Sequence, residues 1–151
     1  MKRQRVLFVC IHNSARSQMA EGWLRHLAGD RCEVESAGLE PGKLNPFVVE
    51  AMKECGIDIS HHTPKGVHDL LAAGKTYDYV IAVCDKEAAE KCPLFPGGSI
   101  RLHWSFPDPS AAKGDHADKL RVATEVRDMI KATVEGWLLE RSQEDPSVAE
   151  R

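Results

Sequence analysis

Long apolar runs are missing from this sequence. The run from Val6 to Ile11 covers six residues, far below the roughly 18 needed to cross a bilayer and below a signal peptide's apolar core. It follows a charged start, Met1-Lys2-Arg3-Gln4-Arg5. The expectation is a cytoplasmic protein with no membrane partner. An excess of positive charge is missing too. Lys plus Arg number 20 against 23 Asp plus Glu, a formal charge of −3. That balance disfavours nucleic acid as a partner, because non-specific binding rests on counterion release by basic residues. Any anionic ligand must then be held by local geometry. The seven histidines show no metal-ligand spacing, and no cysteine or carboxylate cluster completes a zinc site. No metal and no other cofactor is expected. Five cysteines in a reducing compartment read as reactive or singly buried, and their odd number leaves at least one thiol unpaired.

What is present fits one domain. The chain has 151 residues, 42% of them hydrophobic, enough to bury about two thirds of its unfolded surface without staples. Domain 1–141 and a polar tail 142–151 are expected. Arg5–Cys10 and Tyr79–Val83 read as buried strands, short and β-branched. Cys32–Ala37 and Ser99–His103 are plausible further strands. Between them lie helical patterns: Ala15–Ala28, a helix opened by Asn45 as N-cap and Pro46 at N1, a shorter one over Val67–Ala73, and a segment capped by Asp85 running towards Cys92. Phe106–Pro109 reads as loop, and Asp118–Glu140 as a long amphipathic helix. Strands alternating with helices imply an α/β fold, a four-stranded parallel sheet wrapped on both faces. Ligands of such folds bind beyond the carboxyl ends of the strands. That puts Cys10, Cys84 and the loop near Asp108 on one functional edge.

The most informative stretch is Cys10-Ile11-His12-Asn13-Ser14-Ala15-Arg16-Ser17. A cysteine ends a strand, a short loop follows, and an arginine starts a helix. Successive loop N–H groups can form an anion-binding nest, and the positive end of the helix adds to it. Arg16 can grip a tetrahedral oxyanion with two N–H donors. The same field favours thiolate over thiol, and Ser17 can donate a hydrogen bond to the sulfur. The product is a nucleophilic sulfur beneath a bound oxyanion.

Val9 to Gly22 resembles the signature of the low-molecular-weight protein tyrosine phosphatase fold, and more closely that of the thioredoxin-coupled arsenate reductases built on it. The resemblance continues through Glu35–Gly38, Gly56–Ser60, Cys84–Pro93 and His103–Pro109. It implies an arsenate reductase taking arsenate, or another tetrahedral oxyanion such as phosphate or sulfate, and a thioredoxin-type reductant as partner, with a monomer expected. Asp108 on its own reads as part of a Pro-Asp-Pro turn; the resemblance makes it the general acid. Cys84 and Cys92 on their own read as unrelated cysteines. The resemblance makes them a relay in which Cys84 attacks Cys10 and Cys92 then attacks Cys84. They lie eight positions apart, about 12 Å on an intact helix, while a disulfide needs Cα atoms within about 7 Å. Joining them requires the segment to unwind or loop out. Ala15 stands where many relatives carry a cysteine, which leaves Cys84 as the matching partner for Cys10. Cys32 and Cys55 are expected in the core. Asn13, Glu21 and Ser36 match positions that support the loop, where some relatives bind potassium; Lys65 aligns with a carboxylate of that set, and its ammonium is expected to stand in for the cation. The alternative is a tyrosine phosphatase using Cys10, Arg16 and Asp108 alone. Against it, Ser110 occupies the place of the usual aromatic wall.

Overall fold

A computed structural model describes residues 3–144. Four parallel strands form one sheet, in the order β2 (Cys32–Gly38), β1 (Gln4–Cys10), β3 (Tyr79–Ala82), β4 (Ile100–His103). The helices are α1 (Arg16–Ala28), α2 (Pro46–Lys53), α3 (Val67–Ala72), α4 (Lys86–Glu90) and α5 (His116–Glu144). The strand order turns back at β1: β2 lies on one side and β3 on the other. The loops after β1 and β3 therefore diverge there, the usual place for a site in such folds.

The two-residue period of β1 decides which side chains go where. Val6, Phe8 and Cys10 point to one face and pack with Met19 and Leu24 of α1, Val48 and Met52 of α2, and Ile130 and Val134 of α5. Leu7 and Val9 point to the other face, with Val67 and Leu70 of α3 and with Tyr77, Cys92 and Phe95. Both faces are thus covered, which is why β1 reads as an unbroken apolar run. Trp104 bridges the layers, with ring centroids 5.9 Å from both Phe8 and Trp137. Arg127 of α5 ties down α2 by donating to the Ala51 carbonyl at 2.8 Å.

The sequence signals hold in several places and shift in others. Asn45 caps α2 as its chemistry requires, its Oδ1 accepting from the N–H groups of Phe47 and Val48. Helix α2 stops at Lys53, so Cys55 falls beyond it and is half-buried, whereas Cys32 is fully buried. Asp85 occupies the N-cap position of α4 but makes no capping bond. Its carboxylate lies 3.8 Å from the Arg16 guanidinium instead. Pro109 opens a single 3-10 turn to Ala111, capped by Asp108, where only loop was expected. Helix α5 runs past Arg141 to Glu144; the remaining tail, 145–151, lies outside the described residues. Among the described residues no helix is long and apolar enough to cross a membrane.

Gly38, at the end of β2, lies directly against the loop after β1. A Cβ there would stand 2.8 Å from the backbone of Ile11, His12 and Asn13. Backbone cannot swing aside as a side-chain tip can, so Gly38→Ala must displace the loop. It is expected to cost about 1–3 kcal/mol in urea unfolding, as overpacked sites do, and to weaken binding of inorganic phosphate by calorimetry. Unchanged affinity would show that the loop's shape does not depend on this contact.

Candidate active site

The loop from Ile11 to Ala15 joins β1 to α1. Asn13 sits in the left-handed region at φ 53°, a conformation that asparagine tolerates better than most residues. This turns its N–H towards the Cys10 Sγ, at 3.2 Å. The start of α1 has neither a side-chain cap nor an acidic residue in its first turn. Its first N–H groups and positive dipole end are open to an anion.

Donor directions can be traced through the buried polar groups. Asn13 Nδ2 donates both hydrogens, to Ser17 Oγ at 2.7 Å and to Ser36 Oγ at 2.9 Å. Ser17, accepting there, keeps its own hydrogen for the Cys10 Sγ, 2.8 Å away. Ser36 passes its hydrogen to Glu21 Oε1. Asn13 Oδ1 accepts from the Lys65 backbone N–H at 2.9 Å and from Gln18 Nε2 at 3.1 Å. Gln18 Oε1 in turn takes a hydrogen from His62 Nδ1, which leaves His62 Nε2 to accept from Arg25. Burial pushes the His62 pKa down, with Glu21 opposing, in keeping with the neutral ring that this pattern needs. The sulfur of Cys10 thus receives two donors, the arrangement that stabilises a thiolate.

Asn13, Ser17, Glu21 and Ser36 are brought together as one buried network. Lys65 joins it through its backbone N–H. The positive charge beside Glu21 comes from Arg25, whose Nη2 is 2.7 Å from Oε2. Both Glu21 oxygens and the Asn13 side-chain oxygen are engaged by protein donors. Among the described residues no group of three or more His, Cys, Asp or Glu side chains is arranged to hold a metal. Gln18, Arg25 and His62 were not singled out from sequence. The one local signal was Arg25 standing four residues after Glu21 on the same helix.

Arg16 is 3% exposed. It donates to the Phe106 carbonyl at 3.1 Å and lies 3.9 Å from Asp108 Oδ2 and 3.8 Å from Asp85 Oδ1. One guanidinium therefore joins the anion loop, the Asp108 loop and the segment after β3. Asp108 Oδ1 is held by the Ser110 N–H at 2.9 Å, and Oδ2 faces Arg16. Asn45 steadies the same turn through Ser110 Oγ.

Cys84 follows β3 and is completely buried. Burial, with the charge of Cys10 added, pushes its thiol pKa up to about 11 against the pull of Arg16. Burial also raises that of Cys92, with Arg101 opposing. All five cysteines are free. Cys84 packs with Cys10 in the cluster of α1 and α5, whereas Cys92 packs in the cluster on the other face. The structure therefore brings Cys10, Arg16, Cys84 and Asp108 to one edge, while Cys92 packs in the other apolar cluster yet lies within electrostatic reach of Cys84.

Residues 5–147 match the family described as low molecular weight phosphotyrosine protein phosphatase. The chain is 45% identical over 135 residues to an arsenate reductase of Shouchella clausii (strain KSM-K16), covering 89% of this chain and 94% of that one. A solved arsenate reductase in the phosphate binding state superposes with a TM-score of 0.71 at 32% identity, over 91% of this chain and 98% of that chain. A thioredoxin-dependent arsenate reductase of Corynebacterium glutamicum superposes with a TM-score of 0.70 at 29% identity, over 96% and 64%.

Ser17→Ala removes one of the two donors to the Cys10 sulfur and leaves Asn13 Nδ2 without one of its acceptors. A hydrogen bond to a charged group contributes about 1.5–3 kcal/mol. Alkylation of Cys10 by iodoacetamide at neutral pH is expected to slow at least about tenfold. An unchanged rate would remove Ser17 from the activation of the sulfur.

Proposed function

This chain belongs to the low molecular weight phosphotyrosine protein phosphatase family, and we propose that it is a cytoplasmic arsenate reductase using a relay of three cysteines and a thioredoxin-type reductant. The observation that carries the reading is the burial of a second thiol, Cys84, in the same cluster as Cys10 and within its electrostatic reach. A phosphatase using Cys10, Arg16 and Asp108 has no need of it.

Arsenate binds among the loop N–H groups and Arg16. The Cys10 sulfur bonds to arsenic as an oxygen departs, taking the proton from Asp108. Bonding to arsenic removes the charge of the Cys10 sulfur, one of the causes that hold the Cys84 thiol high. Cys84 then attacks the Cys10 sulfur. The sulfur–sulfur bond forms, the electron pair of the sulfur–arsenic bond stays on arsenic, and arsenite leaves. Cys92 displaces Cys10 from Cys84, and the reductant opens the Cys84–Cys92 bond. Each exchange is attack of a thiolate on a neighbouring sulfur. Before turnover the two resolving thiols are protonated and buried, which protects them from premature oxidation. Among the described residues the large exposed apolar side chains are Leu94, Ile100, Met129 and Leu139, a sparse set that supports a monomer.

The direct assay supplies arsenate, thioredoxin, thioredoxin reductase and NADPH to the pure protein. Arsenite should accumulate in step with NADPH oxidation, and Cys10→Ser should abolish both. Phosphate-ester hydrolysis without any arsenite would reject the reductase reading and favour the phosphatase. Asp108→Asn keeps the shape of the side chain but removes its proton, and loss of a general acid typically costs about 100- to 10,000-fold in rate. An Asp108→Asn enzyme at full speed would reduce Asp108 to the cap of its 3-10 turn.

A further inference from the structure

The segment from Cys84 to Cys92 is fastened at both ends to a single strand. His103 Nε2 lies in hydrogen-bonding contact with the Cys84 carbonyl, donating to it. Arg101 donates to the Cys92 carbonyl from Nη2 and to the Pro93 carbonyl from Nη1, each at 3.1 Å. Arg101 and His103 are two residues apart on β4 and so share one of its faces. No chemical step above uses either residue. Beneath the segment, between α4 and β4, lies a cavity of about 340 Å³ lined by Cys92, Arg101, His103, Val80, Ala82 and Ala89.

Both ends of the segment are thus tied to one strand, with the short helix α4 folded between them and the two cysteines packed in different apolar clusters. Resting on the relay reading above, we propose that Arg101 and His103 are positioning residues, a template on β4 that holds the ends of the segment by their carbonyls while α4 unwinds and Cys92 moves through the cavity to Cys84. In that exchange the Cys92 thiolate bonds to the Cys84 sulfur, the Cys10–Cys84 bond breaks, and Cys10 leaves as a thiolate. The proton of Cys92 goes to solvent, and nothing is oxidised or reduced overall.

Arg101 has a second effect. Its charge favours the thiolate of Cys92, against burial. The other charged or titratable groups around the cavity are Lys86 and Glu90 of α4 and His103 of β4, with Tyr77 in the same apolar cluster as Cys92.

The test follows one turnover of arsenate in the full-length protein by acid quench and peptide mapping of the disulfides. In Arg101→Ala, formation of Cys84–Cys92 should slow about 10- to 100-fold, the scale expected when a reacting group loses its placement. Release of the first arsenite should keep its rate, because that step uses Cys10 and Cys84. The rate of the slowed step should depend on pH with a midpoint displaced upwards. Arg101→Lys should restore the midpoint but only part of the rate, since an ammonium cannot grip two carbonyls with a planar fork. His103→Ala should slow the same exchange. A normal relay with an unchanged rate and pH profile in Arg101→Ala would overturn the template. So would a faster exchange, or an equal slowing of arsenite release. Absence of Cys84–Cys92 from the wild-type protein after turnover would reject the relay itself, and the template with it.

Discussion

The carboxamide of Asn13 makes four hydrogen bonds, two as donor and two as acceptor, all to buried or half-buried partners. The geometry around the sulfur depends on it. Through Nδ2 it fixes the direction of the Ser17 hydroxyl, and through Oδ1 it pins the loop to the chain near Lys65. Its own N–H reaches the sulfur because its backbone is in the left-handed region. A buried amide left without partners costs about 1–3 kcal/mol, so every neighbour in the network has a penalty attached to its loss. That makes the loop rigid, and rigidity is what places a row of N–H groups for an oxyanion before it arrives.

Charge is handled locally. The chain is net acidic, yet the Arg16 guanidinium is buried at the centre of the site, with the Phe106 carbonyl and the carboxylates of Asp85 and Asp108 around it. These partners keep a buried cation tolerable when no oxyanion is bound. They also tie three loops to one group, so an oxyanion that engages Arg16 acts on Asp108 and on the segment after Cys84 together. Glu21 is paired in the same manner by Arg25. Burial does the remaining work by keeping Cys84 and Cys92 protonated.

Much of this was legible in the sequence, for definite reasons. β1 declared itself because a strand buried on both faces has no polar position. α2 did so because Asn as N-cap and Pro at N1 suit a helix start ahead of an apolar face, and Cys10 with Arg16 because the nest and the helix end are contiguous in the chain. Other parts could not be read. Asp85 looks like an N-cap, but a buried guanidinium from α1 competes for its carboxylate. Gln18, His62 and Arg25 form the outer part of the network through contacts as much as 44 residues apart, and no local pattern signals them. The roles of Cys84, Cys92 and Asp108 came from family resemblance. Residue spacing alone left them as two unrelated cysteines and a turn. The carbonyl anchors on β4 are invisible to sequence, since any residue has a carbonyl.

The central claim is that two sulfurs of this chain, Cys84 and then Cys92, and not an external thiol, take over the bonds of Cys10 and set it free for the next arsenate. Arsenite counted per chain in a Cys92→Ser protein, supplied with excess arsenate and the complete thioredoxin system, tests it most directly. The account predicts one arsenite per chain and a protein stalled as Cys10–Cys84, identified by peptide mapping. Continued turnover by that variant would contradict it, because the reductant would then be opening the Cys10–Cys84 bond without Cys92.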